Sequence, residues 1–124
     1  MNHWILVVDD AATVRMYHRS ILEKGDFSVA EAANGYEALE TTLDRRFDLM
    51  LVDVNMPRMD GYTFVESVRA AGLNRETPIV MVSTESGAAD KTRGYAAGAN
   101  AYLTKPVAEG KLLRLANLLC GGQA

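Results

Sequence analysis

Trp4-Ile5-Leu6-Val7-Val8-Asp9-Asp10 is the stretch on which the fold turns. Five apolar residues in a row, without the alternation of a half-solvated strand, imply burial on both faces, as in a parallel sheet covered by helices. The run stops at two carboxylates, too soon for a membrane span or a signal-peptide core. Similar short segments recur at Phe27 to Ala32, Asp48 to Val52, Ile79 to Val82 and Ala101 to Leu103, and each is predicted to be a strand.

Helical periodicity fills the gaps. From Ala12 to Lys24, the residues Val14, Tyr17, Ile21 and Leu22 share a face, and Gly25 follows as a stop. Asn34 precedes a segment with Ala38, Leu39, Thr42 and Leu43 on one side, and Glu37 completes a capping-box pattern. Asn34-Gly35 also fits a hairpin turn, but the periodicity after it is that of a helix. Gly61 to Ala71 carries Phe64, Val65 and Val68, and Glu109 to Leu119 carries Leu112, Leu115, Ala116 and Leu119. The segment Ser86 to Ala97 offers only Ala88, Thr92, Tyr95 and Ala96 as a buried face, a thin interface that predicts one of the less stable parts of the domain. Five strand–helix units predict an α/β fold with a doubly wound parallel sheet, whose ligands sit beyond the carboxyl ends of the strands.

Composition narrows the function. The 124 residues suit one domain over 1–124, with 121–124 expected to fray. A net charge of −3 speaks against nucleic acid, and the single Cys120 cannot form an internal disulfide. Without a span or targeting segment, the expectation is a cytoplasmic protein that contacts neither nucleic acid nor membrane.

The chemistry gathers at one sheet edge. Asp9 and Asp10 close the first strand and Asp53 the third; if these strands are neighbours, three carboxylates meet and need a countercharge. Oxygen ligands of this kind suit Mg²⁺, and there is no Cys/His cluster at zinc-like spacing. Ser83 and Thr84 follow the fourth strand, and Thr104-Lys105-Pro106 the fifth, so a hydroxyl and an ammonium face any anion recruited there. Each residue alone is usually a helix cap or a solvated charge; the set on one edge is not a coincidence.

In order and spacing, Val7-Val8-Asp9-Asp10, Asp53-Val54-Asn55-Met56-Pro57 with Gly61, Val82-Ser83-Thr84 and Tyr102-Leu103-Thr104-Lys105-Pro106 are similar to the response-regulator receiver domain. The resemblance covers essentially the whole chain. It implies five helices around a sheet of order 2-1-3-4-5, the flavodoxin/CheY-like arrangement. It further implies that Asp53 accepts a phosphoryl group from a phosphohistidine of a sensor histidine kinase, and that Asp9, Asp10, Asp53 and the Asn55 backbone carbonyl hold Mg²⁺. Lys105 and Ser83 would contact the phosphoryl group, and the Lys105-Pro106 bond would be cis. Ser83 and Tyr102 would form the switch: the serine moves onto the phosphoryl group, Tyr102 turns inward, and the surface of the fourth helix, fifth strand and fifth helix changes. Asn55 and Glu85 would tune hydrolysis toward a fairly short-lived phosphoryl state. Ser83 stands where Thr is common in the family.

With no effector domain in the sequence, the output is expected to be contact with a target protein, as in chemotaxis-type members that act on the flagellar motor switch. The chain is expected to be a monomer. A phosphorelay intermediate or phosphate sink is the alternative. A haloacid-dehalogenase-like phosphatase is more distant, because the second acid it needs is Asn55 here, and a flavin binder would want Ser, Thr and Gly amides where Asp9 and Asp10 stand. His18 is expected as a boundary residue on the first helix and not as a phosphoryl carrier, His3 and Trp4 away from the site, the six methionines as core filler, and Lys91, Arg93, Lys111 and Arg114 on a solvated face.

Overall fold

The computed structural model describes residues 2–121. Its elements run β1 (Trp4–Val8), α1 (Ala12–Lys24), β2 (Ser28–Ala32), α2 (Gly35–Asp44), β3 (Leu49–Asp53), α3 (Gly61–Ala70), β4 (Ile79–Ser83), α4 (Ala88–Ala97), β5 (Ala101–Thr104) and α5 (Glu109–Leu119). The strands pair in parallel in the order β2-β1-β3-β4-β5. The solid apolar runs serve two faces at once. Leu6, Val8, Met50, Val52, Ile79 and Met81 meet Ala38, Phe64, Val65 and Val68 on the α2, α3 and α4 side. Their neighbours Ile5, Val7, Leu49, Leu51, Val80 and Val82 meet Ile21, Leu22, Leu112 and Ala116 of α1 and α5. Period-two alternation thus divides one run between two cores.

Three strands reach one residue further than predicted, so that Asp53 and Ser83 are the last residues of β3 and β4. Their partners in the ladder are Val82 and Thr104. Asn34 opens α2 and not a hairpin: its side chain accepts from the Glu37 N–H at 2.8 Å, while the Ala33 N–H donates to the Glu37 carboxylate at 2.7 Å. No described helix is long and apolar enough to cross a membrane. Gly121 is an exposed turn residue; the rest of the expected frayed tail lies outside the described residues.

Several predicted faces need correction. On α1 the buried positions are His18, Ile21 and Leu22. Tyr17 lies at the margin, 46% exposed, with its hydroxyl donating to the Val107 carbonyl at 2.8 Å. His18 is therefore a core residue and not a boundary one, only 2% exposed. Leu43, assigned to the inner side of α2, points to solvent near the helix end. On α4 the predicted face is wrong: Ala88, Thr92, Tyr95 and Ala96 are all exposed, and Gly94 and Ala97 are buried. The helix lies so close to the sheet that a Cβ on Gly94 would stand 3.1 Å from the Tyr102 ring and 3.3 Å from the Met81 sulfur. That gap takes a glycine and has no room for the Tyr95 side chain. Of the methionines, Met50, Met56, Met59 and Met81 fill the core, Met16 is exposed, and Met1 lies outside the described residues.

Candidate functional site

Adjacent β1 and β3 bring their terminal acids together. A carboxylate oxygen from each of Asp9, Asp10 and Asp53 lies within 4.8 Å of the others. Asp9 and Asp53 are buried and Asp10 is exposed. Lys105, just after β5, reaches past β4, which ends in the small Ser83. Its ammonium donates to Asp9 Oδ2 at 3.0 Å and to Asp53 Oδ1 at 2.9 Å. The Lys105-Pro106 peptide bond is cis.

Asp9 is held at every polar atom: its N–H donates to the Ala32 carbonyl, its carbonyl accepts from Arg15, Oδ1 accepts from the Ala11 N–H and Oδ2 from Lys105. Asp53 is held on one side only. Oδ1 takes Lys105 and a long 3.4 Å contact from the Asn55 N–H. Oδ2 accepts no hydrogen bond among the described residues and is not sealed from solvent. The return of the chain over this carboxylate needs Gly61, whose N–H donates to the Val54 carbonyl at 2.8 Å. A Cβ there would fall 2.5 Å from the Asp53 carbonyl oxygen and 2.9 Å from Val54 Cα.

Burial first, opposed by the Lys105 hydrogen bond and reinforced by Asp9, pushes the Asp53 carboxyl up to about 6. For Lys105, burial pulls down, but its bonds to Asp53 and Asp9 prevail and hold the ammonium above its ordinary value. Three ionised carboxylates against one ammonium leave two negative charges uncompensated. A divalent cation with oxygen preference fits that deficit and that donor set.

On the other flank, Ser83 Oγ accepts from the Glu85 N–H at 3.0 Å and from the Asn55 amide at 3.5 Å. The Glu85 carbonyl accepts the Tyr102 hydroxyl at 2.8 Å. The two peptides that flank Glu85 in the β4–α4 connection are thus each held by one of the residues assigned to the switch. Tyr102 is already buried here, in the space left by Gly94. Asn55 and Glu85 are exposed beside the acids. Trp4 is half-buried at the opposite sheet end under the Arg45 guanidinium, 4.0 Å from its ring. Arg93, exposed like Lys91, Lys111 and Arg114, is not merely solvated: it lies 4.2 Å over the Tyr62 ring and 3.9 Å from Asp60.

Two residues escaped the sequence. Arg15 reaches the Asp9 carbonyl, a contact signalled only by a cation one turn into α1. His18 joins Val14, Tyr17, Thr84, Pro106 and Val107 around a cleft of about 370 Å³ beside Lys105. Its placement there, four residues after Val14, was the available signal. Burial holds its imidazole below the ordinary value.

The family profile of the response regulator receiver domain matches residues 5–117. Protein PilG of Pseudomonas aeruginosa is 34% identical over 109 residues, covering 88% of this chain and 81% of that protein. The chain spans less than half of several longer relatives, which are transcriptional regulatory proteins. Among solved structures, the chemotaxis protein CheY4 of Vibrio cholerae superposes with a TM-score of 0.91 at 36% identity, over 96% of this chain and 99% of that one. The receiver domain of sensor histidine kinase PA1611 of Pseudomonas aeruginosa, with a magnesium ion coordinated in its active site cleft, has a TM-score of 0.90 at 27% identity, over 98% of this chain and 99% of that one.

Proposed function

Since the chain belongs to the response regulator receiver domain family, the signalling modules of two-component systems, we propose that it is a response-regulator receiver phosphorylated on Asp53 by a sensor histidine kinase. The observation that carries this is the asymmetry of Asp53: Oδ1 is fixed by Lys105 and Oδ2 is free to attack. Oδ2 forms the bond to phosphorus as the P–N bond to the donor imidazole breaks, and the nitrogen keeps the electron pair. Lys105 follows the phosphoryl oxygens as a point charge. Asp9, Asp10, Asp53 and the Asn55 carbonyl would hold Mg²⁺, which when bound supplies charge neutralisation for the phosphoryl group. Asn55 and Glu85, exposed at the rim, orient the water that later hydrolyses the acyl phosphate, so the phosphoryl state is short-lived.

When Ser83 turns to a phosphoryl oxygen it releases the Glu85 N–H, and the peptide that Tyr102 holds shifts with it. The surface of α4, β5 and α5 changes in consequence. The chain is one domain over 1–124, a cytoplasmic monomer that catalyses only its own phosphorylation and dephosphorylation, with no nucleic-acid or membrane partner. Similarity to a chemotaxis protein favours a motor-switch target. A phosphorelay intermediate or phosphate sink would share the same active site and differ only in partner.

Acetyl phosphate with Mg²⁺ is expected to add one phosphoryl mass to the intact protein, with decay well within an hour. Asp53→Asn should abolish the addition. Modification that persists in the variant overturns the assignment, and a lifetime of hours overturns the roles of Asn55 and Glu85.

A further inference from the structure

Asp10 is the exposed member of the acidic cluster, and no hydrogen bond orients its side chain among the described residues. Its position therefore depends on the peptide that precedes it. The oxygen of that peptide, the Asp9 carbonyl, accepts from Arg15 Nη1 at 2.6 Å. Arg15 Nε donates to Glu31 Oε1 at 2.9 Å, and the other Glu31 oxygen accepts from Arg19 at 2.7 Å. Glu31 sits on β2 in register with Val7, so the guanidinium is braced against the sheet itself. Arg15 is 16% exposed and Glu31 25%. Ala11, at the N-terminus of α1, makes no side-chain cap, so the entry to the helix rests on this brace and on the Asp9 carboxylate, whose Oδ1 accepts from the Ala11 N–H at 2.9 Å.

A cation this close to a site for a divalent metal is unfavourable on charge alone. Glu31, held below the ordinary carboxylate range by Arg19 first and then Arg15, offsets that charge. What remains is geometry: a planar fork spanning two acceptors, one on the acid-bearing loop and one on a core strand. We propose that Arg15 is a positioning residue that sets the Asp9–Asp10 peptide, and through it the Asp10 carboxylate, for divalent-metal binding. This rests on the acidic cluster being the metal site of the proposed function.

The sign of the effect separates the possibilities. If Arg15 acted by charge alone, Arg15→Met would tighten metal binding and Arg15→Lys would leave it unchanged. If it served only stability, both variants would melt earlier with affinity unaltered. A positioning role makes both weaken binding, by about tenfold as for other groups that orient metal ligands, because an ammonium cannot bridge both acceptors. The test is Mn²⁺ titration of the unphosphorylated full chain, followed by the loss of the free-ion electron paramagnetic resonance signal, with circular dichroism to verify folding. Wild-type protein that binds no Mn²⁺ removes the metal site and this role together. Wild-type binding with unchanged or tighter binding in folded Arg15→Lys overturns the role of Arg15 alone. Should Arg15→Met not fold, Arg15→Lys decides by itself.

Discussion

The two ends of the sheet bury polar groups in opposite ways. At the carboxyl end, Asp9, Asp53 and Lys105 are charged and mutually unbalanced, with one Asp53 oxygen unpaired among the described residues. At the amino end, the buried Asn74 uses its whole hydrogen-bonding capacity. Oδ1 accepts from the Phe47 N–H at 2.8 Å and the Thr77 hydroxyl at 2.9 Å, while Nδ2 donates to the Thr42 and Arg45 carbonyls at 2.9 and 3.0 Å. This neutral knot ties the end of α2 and the approach to β3 to the loop before β4. Satisfied neutral groups hold the fold, whereas the excess of charge at the other end is held ready for a metal and a phosphoryl group.

The largest effect is expected where satisfaction is complete. Asn74→Leu strands the Phe47 N–H and the Thr42 carbonyl in the interior, frees the part-buried Arg45 carbonyl, and should cost about 4 kcal/mol of unfolding free energy. Urea denaturation reads this directly. A loss below about 1 kcal/mol would mean that water replaces the amide and that the contrast between the ends is false.

A smaller change of opposite sign belongs to the other end. In metal-free protein at neutral pH, Asp53→Asn leaves Lys105 paired with Asp9 alone and should stabilise the chain by roughly 2 kcal/mol. The pH dependence follows from the raised carboxyl, at about 6 in the folded protein against 3.8 ordinarily. Between those values the native state takes up the proton first, so this contribution is complete below about 3.8 and disappears as pH rises through 6. His18 works the other way: its imidazole is lowered, so its contribution is present at neutral pH and is lost on acidification. Wild type minus Asp53→Asn isolates the first effect. A difference that stays flat between pH 4 and 7 would show that Asp53 is not destabilised by its neighbours.

How much of this contrast was legible in the sequence depends on its range. Solid runs such as Trp4–Val8 and Leu49–Asp53 declare two-sided burial locally, and Asn34 with Glu37 declares a helix start, so strand and helix positions were readable. The ends of β1 and β3 then put Asp9 and Asp53 at the carboxyl edge of the sheet, while the adjacency of these two strands came from the resemblance to the receiver family and not from periodicity. The bonds from Asn74 to Phe47 and Thr42 and the brace from Arg15 to Glu31 join residues 16 or more apart, and no pattern in either segment announces them. On α1 the predicted face held at Ile21 and Leu22 and failed at Tyr17, and on α4 it failed throughout; at Tyr17 and Tyr95 size outweighed polarity. A histidine fits beneath α1 where Tyr17 does not, and a glycine is all that fits between α4 and Tyr102.

Between the two ends lies α4, whose burial rests on Gly94 and Ala97. It is also tied by the Tyr62 hydroxyl on the Asp90 carbonyl at 3.3 Å and by Arg93, which lies over the Tyr62 ring and 3.9 Å from Asp60. So little apolar area covers the helix that it should open locally without the sheet, and its amides should exchange faster than those of β1, β3 and β4. Gly94→Ala sharpens the point. The substitution gains up to about 1 kcal/mol in helix propensity. It also sets a methyl 3.1 Å from the Tyr102 ring, which must give way. The two nearly cancel, so global stability should change by less than about 0.5 kcal/mol. The displaced ring should nonetheless loosen its bond to the Glu85 carbonyl and speed amide exchange in the β4–α4 connection. A clear loss of global stability with unchanged exchange there would mean that α4 is welded to the sheet, and that the mobile part of this end must be sought elsewhere.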